Sequence, residues 1–210
     1  TSLFNLHQSN GAKFVQFAGY EMPIQYKDGI LQEHNYTRKN SGIFDVSHMG
    51  QLFIKGNFEL TEELEKIFPL DLKKLSINQS KYSFLMNESA GIYDDLIITK
   101  LKDGFMIILN AACKINDFKV IESKLKKKFN LFLDDKLSLI ALQGPESKNV
   151  LENLVTGTSH LRFMHGGDFK FENTNIYVTR SGYTGEDGFE ISIDNLNAEK
   201  LVKSLIKSGS

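Results

Sequence analysis

The sequence predicts an α+β fold in which helices cover antiparallel sheets. Three observations carry that expectation. A hairpin signature spans residues 82–100, where two apolar runs flank the polar break Asn87-Glu88-Ser89-Ala90-Gly91. Around it, residues 50–129 read in the order strand, helix, hairpin, strand, helix, which suits an antiparallel sheet with helices on one face. Apolar residues make up 41% of the 210-residue chain and charged residues 24%, enough for a core and ordinary for a globular protein.

In order along the chain, residues 3–10 predict a short helix with Gly11 as its stop. Residues 12–17 predict a strand, with Phe14 and Phe17 apolar and Lys13 and Gln16 polar. Residues 19–23 read as an irregular link, because Pro23 pushes Met22 out of helical geometry. A helix follows over 29–40, ended near Ser41-Gly42. Residues 42–54 form a buried segment leading into a strand, broken by the polar insert Asp45-Val46-Ser47-His48. Leu60, Leu64, Ile67 and Phe68 lie at helical spacing, and Thr61 with Glu62 and Glu63 is the expected helix start.

Beyond the hairpin, 105–110 is a continuous apolar strand, and apolar residues at 115, 118, 121, 125 and 129 predict an amphipathic helix over 114–129. The basic run 124–128 reads as its solvated end, where the helix dipole favours cations. Strands over 137–142, 168–171, 176–179 and 189–193, with helices over 147–155 and 198–206, complete the expectation.

A formal net charge of −1 gives no support for nucleic acid or an anionic membrane as partner. The single cysteine, Cys113, excludes an internal disulfide and a cysteine-based zinc cluster. No apolar run has the length to span a bilayer, and the first residues lack the pattern of a secretory signal. Residues 203–210 read as a helix running out, so the chain is expected to continue in its parent protein.

Three stretches carry candidate chemistry. Asp94 and Asp95 open the second hairpin strand, and alternation sends them to opposite faces. One can cap or meet solvent while the other enters the interior; the spacing equally permits two turn-end aspartates bonded to backbone N–H groups. Asp45, Ser47 and His48 lie too close in sequence for a catalytic relay, and no second ligand stands at metal spacing, so a satisfied histidine explains them. Residues 180–190, R-S-G-Y-T-G-E-D-G-F-E, hold three glycines without either phosphate-binding pattern. A tight loop presenting Tyr183 and Glu190 suits a flat polar heterocycle whose paired N–H donors a carboxylate accepts; a solvated hairpin turn is the alternative.

Several motifs together carry a resemblance. G-I-F-D-V-S-H-M-G (42–50), G-I-Y-D-D-L-I (91–97), N-A-A after the strand at 105–110, A-L-Q-G-P (141–145) and the glycine loop at 180–190 stand in the order found in aminomethyltransferases. Over its whole length the chain resembles that family, the T-proteins of the glycine cleavage system. F-A-G-Y-E-M-P (17–23) is similar to the family's early F-x-G-W-x-M-P segment, with Tyr20 in place of Trp. The resemblance implies two intertwined subdomains with antiparallel sheets. One is a discontinuous folate-binding part over 1–50 and 137–210, the other a ferredoxin-like part over 51–136. It also implies a C-terminal β-barrel domain that is absent from this chain, which is expected to be inactive alone.

The implied reaction moves the one-carbon unit of an aminomethyl group, held on lipoylated H-protein, to tetrahydrofolate. Ammonia leaves and 5,10-methylenetetrahydrofolate forms. Another tetrahydrofolate-dependent demethylase, or a non-catalytic folate-binding relative, is the alternative. Asp95 matches the family's functional aspartate, and Met49, Tyr82, Asn110, Tyr183 and Glu190 match its folate contacts. Thr99 and Phe163 stand where some relatives have tyrosines. Arg162 and Arg180 are the candidates for the folate carboxylates. The implied compartment is the bacterial cytoplasm, or the mitochondrial matrix in a eukaryote.

Overall fold

The computed structural model describes residues 1–125 and 128–209, and the chain divides into two units. The first is Thr1–His48 with Lys136–Ser210; the second is the inserted stretch Met49–Asp135. Up to His48 come α1 (Phe4–Ser9), β1 (Lys13–Phe17), β2 (Tyr20–Gln25), α2 (Ile30–Lys39) and β3 (Gly42–Asp45). The insert carries β4 (Gly50–Lys55), α3 (Phe58–Glu65), β5 (Ser80–Met86), β6 (Ile92–Leu101), β7 (Gly104–Leu109), α4 (Lys114–Lys124) and β8 (Asn130–Leu133). The chain then returns through β9 (Leu137–Gln143), α5 (Ser147–Leu154), β10 (Gly166–Phe171), β11 (Thr174–Thr179), β12 (Gly188–Asp194) and α6 (Asn195–Lys207). Helices mix with antiparallel sheets, the α+β class expected from the sequence.

In the first unit the five-stranded sheet has the order β10-β11-β12-β9-β3, with every pair antiparallel. Alternation sorts its residues. Ile140 and Leu142 on β9, with Ile191 and Phe189 opposite them on β12, join Val150 and Leu151 of α5 and Leu201 and Leu205 of α6 in one core. Each such aliphatic or aromatic side chain, fully buried, contributes roughly 1.5–3 kcal/mol. The opposite parity, Ala141 and Gln143 on β9 and Glu190 and Ser192 on β12, belongs to the other face. The Asp194 carboxylate accepts the Leu196 N–H at 2.7 Å and so caps α6.

The link expected at 19–23 is instead a second hairpin strand. β1 and β2 pair around Ala18 and Gly19, whose φ angles are 50° and 81°. Pro23 is tolerated there because the sheet has only two strands, so its missing N–H can face outward. The polar insert after β3 stitches the N-terminus down. Asp45 accepts bonds from His7 Nε2 (2.9 Å), Thr1 Oγ1 (2.5 Å) and the Ser47 N–H (3.0 Å), while His7 Nδ1 meets the Tyr26 hydroxyl at 2.7 Å. Burial pushes Asp45 up, but the bonds from His7, Ser47 and Thr1 outweigh it and bring its pKa down to about 2.

In the second unit the order is β5-β6-β7-β4-β8, again antiparallel throughout. Leu52, Ile54, Leu96, Ile98, Ile107 and Leu109 share one core with Leu60 and Leu64 of α3 and Ile121 of α4. Helix α3 starts earlier than expected. Asn57 Oδ1 accepts the Glu59 N–H at 3.1 Å as the cap, and Thr61 is buried inside the helix. Helix α4 ends at Lys124, and Lys126 and Lys127 of the expected basic end lie outside the described residues. Beyond them Leu131 and Phe132 belong to an edge strand, β8, that was not among the expected elements. Among the described residues no helix is long and apolar enough to cross a membrane.

Candidate functional site

In the second unit the hairpin strands set the geometry. On β6, Asp94 shares its parity with the core residues Leu96 and Ile98, whereas Asp95 shares the face of Ile97 and of its β5 partner Phe84. The two carboxylates do part, but Asp94 is the one on the helix side. Its Oδ2 is buried, so of the two acids it is not the solvated one.

Asn110 stands one residue past β7, opposite Asp95 in the register continued from the Leu96–Leu109 pair. Its Nδ2 donates to Asp95 Oδ1 (3.0 Å), to the Asp95 carbonyl (3.1 Å) and to Asp94 Oδ1 (3.1 Å). Asp94 Oδ1 also accepts the Asp95 N–H at 3.0 Å. One amide thus clamps both acids. The Tyr82 hydroxyl is pushed above its ordinary pKa by a hydrogen bond with Asp95, with burial and the two aspartate charges adding. The Tyr82 ring is 48% exposed and meets Phe84 edge-on at 5.3 Å. Tyr82, Asp95 and Asn110 therefore converge, while Met49 lies half-buried just before β4. Thr99 is buried and bonded to Ser80 at 2.8 Å, so its hydroxyl is spent inside the sheet.

Two residues that were not expected at the site complete this cluster. Asp117, in the first turn of α4, is 1% exposed, and burial followed by the Asp94 carboxyl pushes its pKa up. Cys113, just before α4, is also pushed up, by burial and then by Asp94 and Asp117.

In the first unit Glu190 sits mid-strand on β12 and is 6% exposed. Burial pushes its pKa up, opposed by the hydrogen bond from Ser181. Ser181 Oγ donates to Glu190 Oε2 at 2.6 Å and lies 2.8 Å from Thr179 Oγ1. Among the described residues Oε1 takes no hydrogen bond, which leaves one oxygen of this carboxylate open to a donor from outside the chain.

The glycine loop is held from beneath by Gln143, which is 1% exposed. Its Nε2 donates to the Ser181 carbonyl at 2.9 Å, and its Oε1 accepts from Thr184 Oγ1 at 2.9 Å. A Cβ on Gly182 or Gly188 would overlap this carboxamide, which is why glycine is needed at both. Tyr183 rides on the loop, 60% exposed. Arg180 is forked onto Asp187 through Nε (2.8 Å) and Nη2 and bonded through Nη1 to the Leu161 carbonyl at 2.9 Å, which uses three of its five N–H donors. Phe163 is 70% exposed. His48 is half-buried with its ring edge-on to Phe17 at 5.7 Å, and among the described residues no three metal-ligating side chains gather.

Comparison with known proteins fits these motifs. The profile of the GCVT N-terminal domain matches residues 3–210. The chain belongs to the GCVT N-terminal domain family. It is 39% identical over 220 residues to the mitochondrial aminomethyltransferase of Dictyostelium discoideum, covering 100% of this chain and 54% of that protein. It is 38% identical over 217 residues to the aminomethyltransferase of Chlorobium chlorochromatii, covering 100% of this chain and 58% of that one. The crystal structure of glycine cleavage system aminomethyltransferase T from Bartonella henselae superposes with a TM-score of 0.91 at 40% identity. That match covers 98% of this chain and 56% of that chain. The chain thus spans about half the length of the curated relatives it matches.

Proposed function

We propose that the complete protein transfers the one-carbon unit of an aminomethyl group from lipoylated H-protein to tetrahydrofolate, releasing ammonia and forming 5,10-methylenetetrahydrofolate. The observation that carries this reading is the amide clamp of Asn110 on Asp95, placed in the D-D-L-I motif of a GCVT chain. A carboxylate held by a side-chain amide and a tyrosine hydroxyl is preorganised before substrate arrives. Asp95 then orients the attacking folate amine and stabilises positive charge as ammonia departs, and it can take up a proton. Tyr82 offers a ring face beside it.

The first unit is assigned the pterin edge. Glu190 has one oxygen fixed by Ser181 and the other without a partner, which suits two neighbouring N–H donors of a flat heterocycle. Tyr183 supplies apolar contact surface. We assign the first unit as the folate-binding subdomain and the second as the ferredoxin-like one. With bacterial and mitochondrial relatives, the compartment is cytoplasm or matrix. Titrating tetrahydrofolate into the complete protein tests the reading. Micromolar-range binding that Glu190→Gln weakens supports it; absence of binding refutes it.

A further inference from the structure

Among the described residues, Asp117 is a buried carboxylate with no cation bonded to it. It lies in the first turn of α4 at 1% exposure, and no N–H or O–H donor of those residues reaches either of its oxygens. Asp94 Oδ2 is likewise buried without a donor. The charged neighbour acting on Asp117 is Asp94 itself, across from it on β6. Two carboxylates can face one another away from water only if a proton lies between them, because an ionised carboxylate accepts and never donates. The groups facing the pair are Asp95 on β6, Cys113 before α4, and Tyr82 on β5 through its bond to Asp95. None of these brings a positive charge.

The rest of Asp94 is committed. Its Oδ1 accepts from Asn110 Nδ2 and from the Asp95 N–H, and the same Asn110 amide holds Asp95 Oδ1. Whatever fixes Asp94 therefore fixes the clamp on Asp95. We propose that Asp117 is a positioning residue for Asp95: it shares one proton with Asp94 and so holds in place the acceptor that anchors Asn110. This rests on the reading that Asp95 is the reacting carboxylate.

Loss of the shared proton leaves two negative charges in contact and loosens the clamp. The sign follows from the raised value of Asp117, 3.8 to about 7. A carboxyl whose folded pKa is raised contributes stability that is complete below the unfolded value. That contribution is lost as pH rises through the folded one.

The test uses carbon-13 aspartate and nitrogen-15 asparagine labels in the full chain, with two variants. In Asp117→Asn the carboxamide supplies a permanent N–H to Asp94 in place of the shared proton. In Asp117→Leu nothing bridges to Asp94. One carboxyl of the Asp94–Asp117 pair is expected to titrate well above the ordinary aspartate range, and the Asn110 side-chain amide to move with the same midpoint. In Asp117→Asn the Asn110 signal stays fixed through that range, and wild type loses stability relative to this variant between pH about 4 and about 7. In the complete protein Asp117→Leu is expected to cut turnover about tenfold or more, the scale of a misplaced reacting group, and Asp117→Asn to recover most of it while removing the alkaline limb.

Aspartates that all titrate in the ordinary range overturn the proposal, as does an Asn110 signal indifferent to both substitutions. Equal loss of turnover in both variants with an unchanged pH profile also overturns it. If the complete wild-type protein shows no folate-dependent turnover, the functional reading fails. The Asn110 titration still decides the positioning on its own.

Discussion

Glu190→Gln separates a binding carboxylate from a structural one. In wild type, Ser181 Oγ holds Oε2 at 2.6 Å and Oε1 takes no bond from the described residues. A glutamine can answer in two ways. It can keep its oxygen on Ser181 and point Nε2 at the ligand, setting donor against donor. Alternatively it can flip, with Ser181 turning its proton to Thr179 Oγ1, 2.8 Å away, and offer a neutral oxygen outward.

The second course is cheaper and sets the lower bound. A hydrogen bond to a charged group contributes about 1.5–3 kcal/mol against about 0.5–1.5 for a neutral one, so two pterin N–H donors together lose roughly 2–3 kcal/mol. About 1.4 kcal/mol is already a factor of ten, so at least a tenfold loss of tetrahydrofolate affinity is expected by titration calorimetry. Because burial has pushed Glu190 up, the variant removes a charge that the fold holds at a cost, and it should be no less stable than wild type at pH 7. Wild-type affinity should also fall as pH drops through the raised value, above 4.5, while the variant stays flat there. An unchanged dissociation constant at pH 7, with the fold intact, refutes the assignment.

Three further outcomes are expected. Asp95→Asn in the complete protein should cut turnover by about 10²-fold or more while folate affinity changes little, in line with general acid–base and electrostatic contributions; steady-state kinetics showing a loss only in KM contradicts it. Asp45→Asn should destabilise the first unit by about 2 kcal/mol at pH 7, since its drop from 3.8 to about 2 corresponds to that much. Its folded pKa is depressed, so the contribution is present above 3.8 and lost as pH falls through about 2; urea curves that differ equally at pH 7 and pH 2 would falsify this. Gly182→Ala should lower stability by roughly 1–3 kcal/mol, because the new methyl group overlaps the buried Gln143 carboxamide; a melting temperature unchanged from wild type rules that out.

Much of the fold was legible because it is local. The turn at residues 87–91 is closed by Asn87 Oδ1, which accepts from Ser89 N (3.0 Å) and Gly91 N (2.8 Å), as its residue types suggest. The stripe on α6 and the apolar run of β7 likewise declare their burial. What escaped was set by distant partners. Pro23 argued against a strand, yet pairing with β1 alone made room for it. Residues 130–133 form too short a run to declare a strand alone and gain theirs from pairing with β4.

At the candidate site, Asp95 and Glu190 stood out through their motifs, and the parting of Asp94 from Asp95 could be read from strand alternation. The direction of Asp94 could not, because parity tells that two residues part but not which face a helix covers. Asp117 gave no signal at all: an Asp in the first turn of a helix is ordinary, and only the approach of β6 makes it exceptional. Gln143 stood in a quoted motif without a role, since the loop it holds lies some forty residues further along the chain.

The most direct measurement is a single-turnover reaction of the complete protein with H-protein carrying the aminomethyl group on its lipoyl arm. Ammonia and 5,10-methylenetetrahydrofolate are followed together. The account predicts that both appear in equal amounts, and that folate product forms only when tetrahydrofolate and loaded H-protein are both present. Folate product formed from a free methylamine donor but not from loaded H-protein would contradict it.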